Sequence, residues 1–294
     1  MTARKPTYVE QRDPPLSPRL TLPTMYDLPS EDPEEPGLPD EFHALQPGLL
    51  SATLQLADYP EGNYFTGTDM NLYYDVHHQG WYKRPDWFLS VGVSRLYDGH
   101  DLRLSYVIWQ EGISPFVAVE LLSPGTEKED LGETQRRAGK PPTKWEVYEK
   151  ILRVPYYIAF DRYSNRLRAF HLQAGSYQPL TLPDNKLWIP ELKIGIGSWN
   201  GAYQGVERLW LRCFDEAGLW IKTPEERAIA SAKRAAAETQ KAELAAQQAA
   251  AETQRAELAA QQAAAETQRA ELAESALEAL KTRLRNKGID PDSL

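Results

Sequence analysis

The stretch FVAVELLSPGT, residues 116–126, decides the fold. Phe116-Val117-Ala118-Val119 is an unbroken apolar run. It ends in one carboxylate, Glu120, before Leu121-Leu122 and the Ser123-Pro124-Gly125 stop. A short β-branched and aromatic run closed by Pro-Gly reads as a central strand buried on both faces. A carboxylate in such a strand is costly to desolvate unless a positive group meets it. Glu120 is therefore open to two readings: partner of a structural Arg or backbone amide, or a group facing a metal ion.

The sequence on either side supplies neighbours for that strand. Downstream, Thr143 and Glu146 fit a capping box. Trp145, Tyr148, Ile151 and Leu152 then recur at helical spacing, which predicts a helix over 144–153 that Pro155 ends. Tyr156–Asp161 (YYIAFD) predicts the next strand, and the alternating 166–172 with 177–182 predicts a hairpin. The run Glu127–Asp130 reads as a solvated loop or a first helical turn, and 207–214 is open between helix and strand. Upstream, 104–111 (LSYVIWQE) and 81–93 (WYKRPDWFLSVGV) predict strands, the second entered through Pro85. Residues 63–74 have strand-like composition, 75–80 form a loop holding His77-His78, and two short helices fall over 39–45 and 48–56. Short links between the strands suit a meander. Strand, helix, strand and hairpin in that order predict an α/β or α+β core: a mixed central sheet flanked by helices.

Both ends differ from this core. Residues 1–37 hold most of nine prolines that run to Pro39, together with the acidic cluster Glu31-Asp32-Pro33-Glu34-Glu35, and read as a disordered tail. The core spans 38–222 and carries all eight tryptophans. From Ala235 the chain repeats every 14 residues: AAAETQKAELAAQQ, AAAETQRAELAAQQ, AAAETQRAELAESA. Two heptads of strong helix formers after the Thr223-Pro224-Glu225-Glu226 start predict one long helix over 223–287, coiled-coil-like in period, with 288–294 a disordered end. Its seam is weak, because alanine occupies most candidate seam positions. It is still the segment through which a homodimer or other partner would form.

Composition narrows the function classes. The net charge of -9 argues against a generically basic nucleic-acid binder, so a DNA site has to be a local cleft, for which Lys83, Arg84, Arg136, Arg137 and Lys140 are candidates. One cysteine, Cys213, excludes an intrachain disulfide and a multi-cysteine zinc site. No secretory leader or membrane-spanning run is present, so a cytoplasmic protein with no membrane contact is expected.

Three residues can carry chemistry. Asp86 follows Pro85, Glu120 lies on the organising strand, and Lys144 opens the helix after it. Two carboxylates converging from neighbouring strands, with the backbone carbonyl of Leu121, make a hard-oxygen site suited to Mg²⁺ or Mn²⁺. A nearby lysine would orient water or offset phosphate charge. The alternatives are ordinary: Asp86 capping a turn and Lys144 facing solvent. His77 and His78 read as loop surface or substrate contacts, His43 and His171 as packing or surface residues. Ser123 lies in no nucleophile elbow.

Pro85-Asp86, then Val119-Glu120-Leu121-Leu122-Ser123-Pro124-Gly125-Thr126, Asp130, Lys144, Tyr148 and the strand ending in Asp161 together resemble the Uma2 family of the PD-(D/E)xK nuclease superfamily. The resemblance covers about residues 38–222 and implies a restriction-endonuclease-like core. It also implies Asp86, Glu120 and Lys144 as catalytic residues, with Asp86, Glu120 and the Leu121 carbonyl as ligands of Mg²⁺ or Mn²⁺. The superfamily lysine usually stands two residues after the second acid. Leu122 is there in this chain, and the family pattern transfers the role to Lys144. The function implied is a metal-dependent DNA endonuclease. The alternatives are a non-catalytic nuclease-like scaffold acting through its C-terminal helix and a different phosphodiester or nucleotide hydrolase.

Overall fold

The computed structural model describes residues 40–123, 125–136 and 139–288. The tail read over 1–37, the end from 289, Pro124 and Arg137 lie outside these residues. The fold is mixed α+β: a mixed sheet, several helices and a long C-terminal helix. Helix α1 (Glu41–Thr53) is followed by strands β1 (Tyr64–Thr68), β2 (Leu72–Tyr73), β3 (Tyr82–Lys83), β4 (Trp87–Val91) and β5 (Tyr106–Val107). Then come α2 (Ile108–Glu111), β6 (Val117–Leu121), α3 (Glu127–Asp130) and α4 (Lys144–Glu146), which runs on into a π-helical turn, Val147–Ile151. Strands β7 (Tyr156–Asp161), β8 (Arg166–Gln173) and β9 (Ser176–Pro179) precede β10 (Lys186–Ile189), β11 (Ile194–Tyr203), β12 (Val206–Phe214) and helix α5 (Pro224–Asn286).

The main sheet has the order β1-β4-β6-β7-β8-β9, and β6 lies in its middle with all five residues buried. Its pairing with β4 is antiparallel and its pairing with β7 parallel, so α3 and α4 lie on the crossover between β6 and β7. The pleat sorts β6 onto two cores. Val117, Val119 and Leu121 join Trp87, Leu89, Ile158 and Phe160 in one, while Ala118 joins Phe88, Tyr157, Val147 and Tyr148 in the other. Each fully buried side chain of this size contributes about 1.5–3 kcal/mol. Glu120 has the parity of Ala118 and so meets the α4 side.

The capping box is present: the Thr143 side chain accepts from Glu146 N–H, and the Glu146 carboxylate accepts from Thr143 N–H. Other expectations need correction. The two short helices are one, α1, with Pro47 inside it. Packing overrides the proline: Phe42, Gln46, Leu49, Leu50 and Thr53 form a buried stripe, and Gln46 bonds both backbone groups of Leu211 on β12, at 2.8 and 2.7 Å. The strand expected over 81–93 is two strands in two sheets, broken at Arg84-Pro85-Asp86 where proline removes a ladder donor. Of 104–111 only Tyr106 and Val107 are strand, and α2 follows, closed by Gly112 at φ 70°. The meander is interrupted as well. β1, β4 and β6 are antiparallel neighbours, but β2, β3 and β5 leave to form a separate sheet in the order β3-β2-β5. Residues 206–214 are strand, and 127–130 are helix.

Gly67 on β1 stands opposite Phe88, and a Cβ there would overlap the Phe88 ring. Gly67→Ala is therefore expected to cost about 1–3 kcal/mol through overpacking. A fall in the urea midpoint at unchanged m-value checks this.

Helix α5 forms a second unit. At 1.5 Å per residue its 63 residues run about 95 Å. The repeat shows in its side-chain bonds: Thr239, Thr253 and Thr267 each donate to the carbonyl four residues back, at 3.0, 2.9 and 2.9 Å.

Candidate active site

The β4–β6 register pairs Trp87 with Val119, so one residue further it sets Asp86 beside Glu120. Asp86 accepts a 2.6 Å hydrogen bond on Oδ2 from the Leu121 N–H. Helix α4 and the π-helical turn that continues it supply the rest from two positions four apart. Lys144 Nζ donates to Glu120 Oε2 at 2.9 Å, and Tyr148 OH donates to Glu120 Oε1 at 2.8 Å. Lys144 is not solvent-facing: its side chain is 19% exposed and its ammonium also lies 3.0 Å from Asp130 Oδ1. That second contact is an ion pair without hydrogen-bond alignment, since the buried Asp130 Oδ1 has no hydrogen-bond partner. Asp130 came from a charged run that reads as surface, yet α3 turns it inward, and its carbonyl accepts from Tyr157 OH at 2.8 Å.

Three carboxylates thus share one ammonium. Burial pushes Glu120 well above the usual carboxylate range, against the pull of Lys144 and with the repulsion of Asp130 and Asp86. Asp86 is raised as well, again chiefly by burial. Burial alone would lower Lys144, but Asp130, Glu120 and Asp86 outweigh it and hold the ammonium charged.

His43 is the residue that sequence reasoning missed. It stands on α1, 78 residues before Leu121, and its Nε2 lies 3.0 Å from the Leu121 carbonyl oxygen. Its Nδ1 lies 2.9 Å from Asp40 Oδ1, and Asp40 is in turn paired with Arg162. Asp40 and the Leu121 carbonyl are both acceptors, so the ring donates to both only as the imidazolium, which carries a hydrogen on each nitrogen. Burial pulls the His43 pKa down, but Asp40, Asp86 and the Leu121 carbonyl together raise it above the ordinary value. The group gains its partners in the folded state, so the stability they add is full below about pH 6.5 and is lost as pH rises through the folded value. In an NMR titration His43 is expected to titrate above the ordinary histidine value, and Asp40→Asn to move it down. A midpoint unaffected by Asp40→Asn would count against this assignment.

A cleft of about 250 Å³ has His43, Asp86, Leu121, Lys144, Glu129 and Tyr82 among its walls, and Glu120 and Asp130 are buried against its Lys144. Glu129 Oε1 accepts from Lys83 Nζ and from the Lys144 backbone N–H, each at 3.0 Å, which fixes the start of α4 against β3. Arg84 also lines the cleft and pairs with Asp69 at 2.6 Å. Arg136 lies over Trp81, whose other neighbour is the stacked ring of His78 at 3.8 Å. His77 is on the exposed loop.

A family model, Uma2, described as a putative restriction endonuclease, matches residues 19–200. The chain belongs to the Uma2 family. No curated protein matches the sequence. The Uma2 match takes in β4, β6 and α4 and therefore every group in the Glu120 cluster, and it ends within β11. A nuclease-like reading of the fold follows from membership. Among the described residues no group of three or more His, Cys, Asp or Glu side chains is arranged to hold a metal ion, so the Uma2 cleft has no all-protein cage. What it has is a smaller oxygen set, Asp86, Glu120 and the Leu121 carbonyl, in a cluster with more acid than base. Hard oxygens are the donor type that Mg²⁺ takes, with one or two carboxylates and waters completing the shell. Here each is already engaged within the chain: both Glu120 oxygens, Asp86 Oδ2 and the Leu121 carbonyl. Among the described residues no helix is long and apolar enough to cross a membrane.

Proposed function

We propose that this chain is a metal-dependent endonuclease that hydrolyses DNA phosphodiester bonds. One observation carries the proposal: Asp86 and Lys144 line one cleft, Asp86 accepting from the Leu121 N–H at 2.6 Å just before β4 and Lys144 donating at 2.9 Å to Glu120, which lies buried on β6 beside them. Asp86, Glu120 and the Leu121 carbonyl would hold Mg²⁺ or Mn²⁺, which when bound lowers the pKa of water and offsets charge on the phosphate. The chain's own groups do the positioning. The Leu121 N–H fixes the Asp86 carboxylate, Tyr148 fixes that of Glu120, and Lys144 is the cation placed to meet a phosphate or orient a water. The Lys144 ammonium keeps its charge through neutral pH, so it supports the reaction without itself giving up a proton.

The test is nicking and linearisation of supercoiled plasmid with Mg²⁺, Mn²⁺ or EDTA, for wild type and Asp86→Asn. Metal-dependent cleavage lost in Asp86→Asn is the expected result. The scaffold reading draws on a specific feature, that both Glu120 oxygens are already hydrogen-bonded within the chain. It is favoured if neither metal supports cleavage and neither alters the wild-type melting temperature.

A further inference from the structure

The small sheet β3-β2-β5 presents an exposed aromatic surface at the edge of the cleft, and nothing in the Glu120 cluster uses it. Tyr73 on β2 pairs in register with Tyr82 on β3, their ring centroids 5.5 Å apart. Trp109, at the start of α2, meets Tyr73 edge-on at 6.5 Å. Tyr82 and Trp109 are 43% and 39% exposed, although packing on the core would hide such rings. Their position ties them to the site. Tyr82 and Arg84 line the cleft that holds Asp86, and Arg84 and Asp69 also line a neighbouring groove. Leu104 lines that same groove and is 97% exposed. A ligand leaving the carboxylates thus passes a cation, a tyrosine at the rim and an exposed leucine.

Resting on the hydrolase reading, we infer that the aromatic surface is a stacking platform for unpaired bases, so that the substrate is single-stranded DNA or duplex opened next to the bond to be cut. Paired bases in a duplex turn their edges, not their faces, to a protein, so exposed rings gain little from intact duplex. Unpaired bases stack on tyrosine and tryptophan without regard to sequence. Arg84 is the cation suited to the backbone phosphate between stacked bases, because its partner Asp69 is itself exposed and the pair can exchange. Leu104 is the kind of apolar side chain that wedges between base steps and parts them. The overall charge of -9 fits as well, since a stacking surface needs less positive charge than a duplex-wrapping one.

The experiment is fluorescence anisotropy of the full chain with a labelled oligothymidine strand and with a duplex of equal length, in EDTA, so that binding is read without cleavage. Wild type is expected to prefer the single strand by about tenfold or more. Tyr82→Ala and Trp109→Ala are each expected to weaken single-strand binding by about five- to a hundredfold, and Tyr82→Phe to preserve it. Both rings are exposed, so unchanged melting temperatures should confirm that the variants are folded. Equal or tighter duplex binding, single-strand binding that survives Tyr82→Ala, or no binding to either oligonucleotide, as a protein-docking surface would give, each overturns the inference. Plasmid cutting in Mn²⁺ separates it from the hydrolase reading. Cutting that persists when Tyr82→Ala binds like wild type removes the platform alone. Stacking-dependent binding without cutting removes the hydrolase and keeps the platform.

Discussion

Lys144→Met should lower the thermal midpoint of the metal-free protein by roughly 6–20 °C, the equivalent of about 3–5 kcal/mol for a domain of this size. The reason is an asymmetry of charge. Glu120 and Asp130 are fully buried, Asp86 stands beside them, and Lys144 is the cation that touches both buried acids. Methionine keeps the length and most of the packing of the side chain but leaves the acids facing one another without a counter-charge. Breaking a buried ion pair from the side of its single cation is the costly direction. The deficit should also depend on pH, and the sign follows from the directions of the shifts. Glu120 and Asp86 already have folded pKa values raised above the unfolded ones. Removing Lys144 raises them further, so the added cost is absent where the carboxylates stay protonated in both folded proteins and grows as pH rises through the raised folded values of wild type. Melts of both proteins at pH 5 and pH 8 test this. Tyr148→Phe serves as a control: it removes one neutral donor to Glu120 and should cost about 1–3 kcal/mol. A Lys144→Met deficit no larger than that of Tyr148→Phe, or one that shrinks toward pH 8, would show that the acids are not relying on the ammonium.

The parts of this arrangement that were legible in the sequence are the local ones. Strand β6 announces itself by an apolar run, and α4 by the Thr143–Glu146 box. The four-residue spacing of Lys144 and Tyr148 puts both on the helix face that meets Glu120. His43 was not legible, because nothing in a helix 78 residues away marks one histidine for the Leu121 carbonyl. Asp130 was legible only through the family resemblance, because its three charged neighbours, Glu127, Lys128 and Glu129, make the run read as surface and disguise the one member that turns inward. The small sheet escaped because strands of two residues are shorter than the alternation that reveals strands, so Tyr82 and Tyr73 became neighbours only through register. Pro47 misled in the same way, since its cost is local and the packing that outweighs it comes from β12.

Glu120→Gln separates the two roles that this cluster can play. It should abolish metal-dependent cleavage, with a loss well beyond the roughly 10- to 100-fold that follows removal of a residue one step behind a metal ligand. Yet it should leave the metal-free fold as stable as wild type or more so. Glutamine has the same shape, and its amide oxygen accepts from Lys144 while the Tyr148 hydroxyl turns to take the amide N–H. Lys144 is not stranded, because Asp130 remains 3.0 Å away. The substitution removes one of three mutually repelling acids and the cost of burying it, which offsets the attraction to Lys144 that is lost. The readout that does not depend on activity is the melt with and without Mn²⁺. Wild type should rise with added metal, since a ligand that binds only the folded state stabilises it by mass action, and Glu120→Gln should not respond. Asp86→Asn should share the missing response, because both acids would hold one ion. If Glu120→Gln instead melts several kcal/mol below wild type while Mn²⁺ leaves wild type unmoved, Glu120 is half of a structural ion pair. The convergence of Asp86, Glu120 and Lys144 would then be a device for holding β4, β6 and α4 together rather than for cutting DNA.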